Sequence, residues 1–207
     1  MKQEIEFPVI AKRLLAAAGA GLFGLAALTA CDAAASDGSG GSTDSGGDTA
    51  EKAAETCEVA PAEEGAGTDF EAPLATCQAA SIPGWDVAVT AVELDATETV
   101  LDANTFNEDV ADGTQYLMYT LTAINTGDAA ADPFLDLTTS VDIGDLRYDE
   151  TCGVLPNDMV DVGEIAPGDS FTANDCDFID SEGAESAVLA VSSLMDMEST
   201  EVYFKLG

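Results

Sequence analysis

From Trp85 onward the chain alternates apolar and polar residues with a period of two, and clusters of Gly, Asp, Asn and Pro interrupt the alternation. That period places one face of a segment in a core and the other in solvent, as in a half-buried strand. Residues 85–94 set Val87 and Val89 against Asp86, Ala88 and Thr90, and residues 116–125 form a longer strand ending at Thr126-Gly127-Asp128. Residues 135–147 read as two strands meeting at Gly144-Asp145, where a glycine in the first turn position suits a type II′ hairpin. Pro167-Gly168-Asp169 is a turn that delivers residues 170–173 as the next strand, and residues 187–194 and 202–206 complete the set. About seven short strands punctuated by turns predict an all-β antiparallel sandwich or barrel over residues 82–207.

The chain before Trp85 follows other rules. Lys2, Lys12 and Arg13 precede an uncharged run rich in Gly and Ala over residues 14–30. The run falls short of the roughly 20 residues a spanning helix needs and suits the hydrophobic region of a secretory signal. It closes on Leu28-Thr29-Ala30-Cys31. A leucine, two small residues and a cysteine resemble the lipobox of bacterial lipoproteins, whose cysteine receives diacylglycerol and becomes the new N-terminus. That resemblance implies a signal peptide over residues 1–30, lipidation at Cys31, and a mature protein anchored on the extracytoplasmic face of the cell membrane. Each buried methylene adds about 0.8 kcal/mol, so two or three chains on one cysteine hold durably. Residues 31–56 are Gly, Ser, Thr and Asp rich, have no apolar period with which to bury a core, and are expected to be a disordered tether. In residues 57–81, Pro61, Gly65 and Pro73 argue against a long helix, and the segment reads as an N-terminal extension.

Charge narrows the partners. The chain carries 40 acidic residues against 6 basic ones, a net charge of −34. Removal of residues 1–30 takes Lys2, Lys12 and Arg13 and leaves Lys52, Arg147 and Lys205 as the cations. Phosphate backbones and anionic lipid surfaces would be repelled, so nucleic acid is set aside as a partner; the charge suits a solvated acidic surface first, and an envelope protein or cationic partner second. The 5 cysteines become an even set once Cys31 is claimed by lipid. Cys57, Cys77, Cys152 and Cys176 then allow three connectivities, of which Cys57 with Cys77 and Cys152 with Cys176 is the simplest. Each such loop is worth roughly 3 kcal/mol in the chain-entropy picture.

The chain has no histidine. A Ser-His-Asp triad, a Cys-His pair, histidine-ligated zinc and a His/Cys/Met copper site are thereby all excluded. No Ser-x-x-Lys follows Cys31 either. Hard cations need clustered carboxylates, and two loop groups offer them: Asn107-Glu108-Asp109 with Asp112, and Asp158 with Asp161 and Glu164. Neither follows the calcium-loop spacing, and solvated acidic loops are the reading they favour. Met195-Asp196-Met197 would place two thioethers on one face of a strand, as Cu(I) would require. A methionine pair at the core or an edge is the plainer reading. Trp85 reads as a core residue, and the facing of Tyr116, Tyr119, Tyr148 and Tyr203 depends on register.

Several strings also carry a family likeness. Residues 112–117 (DGTQYL), Asn125-Thr126-Gly127-Asp128, Arg147-Tyr148-Asp149, residues 152–156 (CGVLP), Val162-Gly163-Glu164 with Pro167-Gly168, and Asn174-Asp175-Cys176 occur in that order. Together they resemble the immunoglobulin-like domains of Gram-positive, especially actinobacterial, lipoproteins, over about residues 80–207. The resemblance implies a small antiparallel immunoglobulin-like β-sandwich in which Cys152 and Cys176 bridge neighbouring strands, and a mostly uncharacterised function. The chain departs from that pattern at Asp177-Phe178-Ile179-Asp180, which replaces a more aliphatic stretch and bears on the edge-strand geometry. The expectation is a membrane-anchored, non-catalytic binding domain without cofactor, drawing affinity from loops or a sheet edge. A Ca²⁺- or Cu(I)-binding lipoprotein and a carboxylate-only envelope hydrolase are the alternatives.

Overall fold

The computed structural model describes residues 57–196 and 200–207. The expected signal peptide, Cys31 with its lipobox, the tether over residues 31–56, and Met197 lie outside the described residues. The described residues form a two-sheet sandwich of nine strands, where the sequence pattern suggests about seven. One sheet runs in the order β1 (Ala60–Pro61), β2 (Gln78–Ile82), β3 (Trp85–Glu93), β4 (Thr114–Asn125) and β7 (Ser170–Asp180). The other runs β6 (Leu146–Tyr148), β5 (Leu137–Ile143), β8 (Val188–Ser193) and β9 (Val202–Lys205). Every pairing is antiparallel except β1 with β2.

The alternation along each strand builds the core. Trp85, Val87 and Val89 of β3 meet Leu117, Tyr119, Leu121 and Ala123 of β4 on the inner face, opposite Leu137 and Val141 of β5 and Leu189 and Val191 of β8. Burying each large apolar side chain contributes roughly 1.5–3 kcal/mol. Trp85 is fully buried and meets the ring of Phe171 edge-on, centroids 5.8 Å apart. A register shift between Val89 and Ala91 transfers the inward positions of β3 from odd to even residues, so Val92 and Leu94 continue the core beyond it. Gly144 sits at φ +61° between β5 and β6, in the first turn position that the sequence singles out.

Three elements differ from the sequence reading. Residues 135–136 belong to α2 (Pro133–Asp136), because Asp132 accepts a hydrogen bond from the Phe134 N–H at 3.1 Å and Pro133 occupies the first helical position. The strand begun at Ser170 continues through Asp180, carrying the unusual 177–180 stretch as ladder rather than loop. Helix α1 (Thr97–Ala103) lies between β3 and β4. Its Val100 helps to form a second core with Tyr116, Met118, Leu155 and the cysteines Cys152 and Cys176, on the outer face of the first sheet.

The expected boundary at residue 82 falls at the end of β2, and residues 57–81 take part in both sheets. Disulfide Cys57–Cys77 ties the start of the segment to the chain entering β2. Leu74 lies along β9, donating its N–H to the Tyr203 carbonyl at 2.8 Å and accepting from the Lys205 N–H at 2.7 Å. Gly67 turns at φ +78° close beneath Leu74, where a Cβ would stand 2.7 Å from Leu74 Cγ.

Candidate functional site

The chemistry of the domain gathers on β7, an edge strand. Period two puts Phe171, Ala173, Asp175, Asp177 and Ile179 on its inner face, so two carboxylates stand where apolar residues are expected. Tyr119 faces Asp175 across the ladder, and its hydroxyl lies 3.1 Å from both Asp175 Oδ2 and Asp177 Oδ2. Thr139 reaches over from the opposing sheet and donates to Asp175 Oδ2 at 2.8 Å. One phenolic proton cannot neutralise two buried acids. Burial, followed by the charge of Asp175, pushes the Asp177 carboxyl up to about 8, and burial also raises Asp175. The Tyr119 phenol is raised strongly for the same reasons, burial first and then the two carboxylates. Burial and the adjacent Asp175 thus favour the protonated form of the Asp177 carboxyl. At 3% exposure it is closed to any substrate.

The outer face of the same strand carries a cleft of about 500 Å³ lined by Glu108, Asp109, Tyr116, Asp149, Glu150, Thr151 and Phe178. Register Tyr116↔Phe178 brings the two rings together, centroids 5.4 Å apart. Disulfide Cys152–Cys176 and the hydrogen bond from the Phe178 N–H to the Glu150 carbonyl, 3.1 Å, hold the 149–152 segment along the strand as one wall. The other wall is the 107–109 segment. Asn107 fixes it by donating to the carbonyls of Val100 at 2.7 Å and Val154 at 2.8 Å while accepting from the Val154 N–H at 2.9 Å. Tyr116 donates to the Glu108 carbonyl at 2.8 Å. Burial first, then the charges of Glu108 and Asp109, raises its phenol. The ion pairs among the described residues both belong to Arg147, which holds Asp142 at 2.8 Å and Glu201 at 3.0 Å, so the four cleft carboxylates have no cationic counterpart there. The cleft thus presents negative charge beside aromatic rings, a combination that suits a cation with an apolar stem.

The other sequence candidates are dispersed. Asp109 lines this cleft, and Asp112 lies exposed in the turn before β4. Asp158 spends its carboxylate on its own loop, accepting from the Val160 N–H at 3.1 Å and the Leu155 N–H at 3.2 Å, and Asp161 and Glu164 are exposed. No group of three or more such ligands is positioned to hold a metal among the described residues. Met195 is exposed in the turn after β8. The structure joins Cys57 to Cys77 and Cys152 to Cys176, with Cα separations of 5.8 and 5.6 Å. Sequence reasoning passed over the inward pair Asp175 and Asp177, although the period from Phe171 to Ile179 carried the signal.

The described residues thus form a β-sandwich closed by two disulfides, and disulfides suggest a compartment outside the cytoplasm. No family model and no curated protein matches the chain. Among solved structures it is similar to a "putative lipoprotein (ycdA)" from Bacillus subtilis, with 17% identity and a TM-score of 0.41 over 61% of this chain. The match spans 37% of that protein's length. An uncharacterized β-sandwich protein from Clostridium difficile matches with 14% identity and a TM-score of 0.42, covering 65% of this chain and 95% of that one. A conserved hypothetical protein from Bacillus anthracis matches with 12% identity and a TM-score of 0.37, covering 60% and 91%.

Proposed function

We propose that the protein is a lipoprotein anchored through Cys31 on the extracytoplasmic face of the cell membrane, and that its sandwich is a non-catalytic module binding cationic partners in the cleft on β7. The observation that carries this reading is the pairing of four carboxylates, Glu108, Asp109, Asp149 and Glu150, with the rings of Tyr116 and Phe178 in one cavity. A lysine or arginine side chain entering it would lay its methylenes on the rings and its charge among the acids. The acidic surface would also speed encounter with such a partner at low salt. A hydrolytic reading needs carboxylates set apart across a bound sugar or peptide. The buried pair Asp175 and Asp177 cannot supply them, and the chain has no histidine to assist.

The test is a titration of the detergent-solubilised full chain with a fluorescent tetralysine peptide. Saturable binding that falls at least tenfold in the Glu108→Gln, Asp149→Asn, Glu150→Gln triple variant is expected. Equal affinity for the wild type and the triple variant would remove the cleft from the reading.

A further inference from the structure

Five exposed apolar side chains lie at the end of the sandwich where β5 begins and β8 ends. Of the eleven large hydrophobic residues exposed among those described, five come from three neighbouring elements: Phe134 and Leu135 of α2, Val160 of the 3-10 turn Met159–Asp161, and Leu194 with Met195 after β8. The backbone brings these three elements together. Leu194 donates its N–H to the Asp136 carbonyl at 2.7 Å, joining the 194–195 turn to α2, and α2 packs against the 3-10 turn. Leu135, Leu194 and Met195 are 64, 65 and 73% exposed, values that leave most of each side chain in water. Solvent-facing apolar groups are ordinary singly, whereas a contiguous set rimmed by polar residues marks an interaction surface.

The frame beneath the patch is fixed. Asp132 caps α2 by accepting from the Phe134 N–H, and Asp158 caps the 3-10 turn by accepting from the Val160 N–H. Ala131 and Ile165 exchange backbone hydrogen bonds at 3.1 and 2.8 Å and tie the two capped turns together. The patch is therefore held in place before any partner arrives, which removes much of the ordering cost of association.

Charge selects the occupant. Asp132, Asp136 and Asp161 belong to the same short elements, and no lysine or arginine lies between residues 127 and 146 or between 148 and 196. Arg147 is already committed to Asp142 and Glu201. A second copy of this chain would bring a further acidic rim, and an anionic lipid surface would be repelled. We infer that the face formed by Phe134, Leu135, Val160, Leu194 and Met195 docks a basic amphipathic segment of a partner protein, whose apolar side covers the patch and whose lysines or arginines meet the surrounding aspartates. The recognition uses none of the cleft carboxylates and stands independently of the cleft.

The probes are an 18-residue amphipathic Leu/Lys helix and a Ser/Lys peptide of equal length and charge, each titrated into the detergent-solubilised full chain. The amphipathic peptide is expected to bind at least tenfold more tightly than the Ser/Lys peptide, and the Leu135→Ser, Leu194→Ser variant is expected to erase that preference. Hydrogen exchange supplies a readout that needs no variant: the amphipathic peptide should protect residues 133–136, 159–161 and 193–196. Equal affinity for the two peptides, an unaltered preference in the variant, or protection confined to the cleft segments would overturn the proposal. Protection of the patch on reconstitution into phosphatidylcholine vesicles without peptide would overturn it in favour of the membrane.

Discussion

Asp177→Asn isolates the cost of keeping a carboxyl group inside the sandwich. The side chain is 3% exposed and sits 3.1 Å from the Tyr119 hydroxyl, with Asp175 bonded to the same hydroxyl and Asp149 adding negative charge nearby. Its folded-state value of about 8 lies above the ordinary 3.8, so the folded chain holds a proton that the unfolded chain releases. Stability therefore decreases with rising pH throughout the window from about 4 to 8, at about 1.4 kcal/mol per pH unit. The contribution is complete below pH 4 and spent above pH 8. Over the window the loss is of the order of several kcal/mol, less whatever water entering beside the ionised acid recovers.

Asparagine cannot ionise, yet it keeps an oxygen to accept from Tyr119 and gains an amide to donate to Asp175. The variant should therefore match the wild type near pH 4.5 and exceed it at pH 8.5. Denaturant unfolding of the full chain, read at half-unit steps from pH 4.5 to 9 without reductant, measures both slopes. Because the other acids titrate in both proteins, the decisive quantity is the difference between the two curves. It should grow by several kcal/mol across the window, or by roughly 10–20 °C in melting temperature for a chain of this size. Parallel curves would refute the assignment of the proton to Asp177.

Two further outcomes follow from the covalent chemistry. Cys152→Ser with Cys176→Ser releases the cleft wall from β7, and denaturant unfolding should show a loss of about 2–5 kcal/mol, with tetralysine binding weakened in parallel. A variant as stable as the wild type would mean that the backbone bonds at Glu150 and Asn157 hold that segment unaided. Intact mass of the membrane-extracted protein should show residues 1–30 removed and lipid added at Cys31, and an unmodified full-length mass would refute the anchor.

The legible part of the fold was the part whose residues obey one period. Strands β3, β4, β5 and β8 carry enough inward apolar residues to be predicted within a few residues of their observed ends, although β3 changes face at its register shift. The β7 ladder continues beyond the predicted residues 170–173 because Asp175 and Asp177 occupy inward positions that hydropathy alone assigns to solvent. The two-residue strand β1 escapes a pattern reading because it is held by β2 and the Cys57–Cys77 disulfide, and β2 because its five residues, QAASI, alternate only weakly although Pro83-Gly84 turns it straight into β3. Half of the cleft was legible, since Glu108 and Asp109 stood out as an acidic loop. Asp149 and Glu150 join them only because β6 hands the chain across to the edge of β7, a juxtaposition over some forty residues that no local spacing encodes.

The placement of two acids inside an edge strand has a physical logic that also bears on how the domain binds. An exposed strand edge invites pairing with another chain, and inward-pointing charges, prolines, short strands and covering loops are the means by which natural sheets prevent it. All four occur here. Strand β7 carries Asp175 and Asp177 inward and is covered where Phe178 bonds Glu150 and where Asn174 donates to the Asn157 carbonyl at 2.8 Å. Strand β9 is covered by Leu74 and Gly67, β1 is two residues long and includes Pro61, and β6 is three residues long. Addition of a partner strand along β7 or β9 would have to displace one of these covers, and β1 and β6 offer only two and three residues to pair. Of the two binding modes open to a sandwich, the edge is thus closed among the described residues. Affinity is left to side-chain surfaces built on the rigid frame: the acidic, ring-lined cleft and the apolar face beside α2.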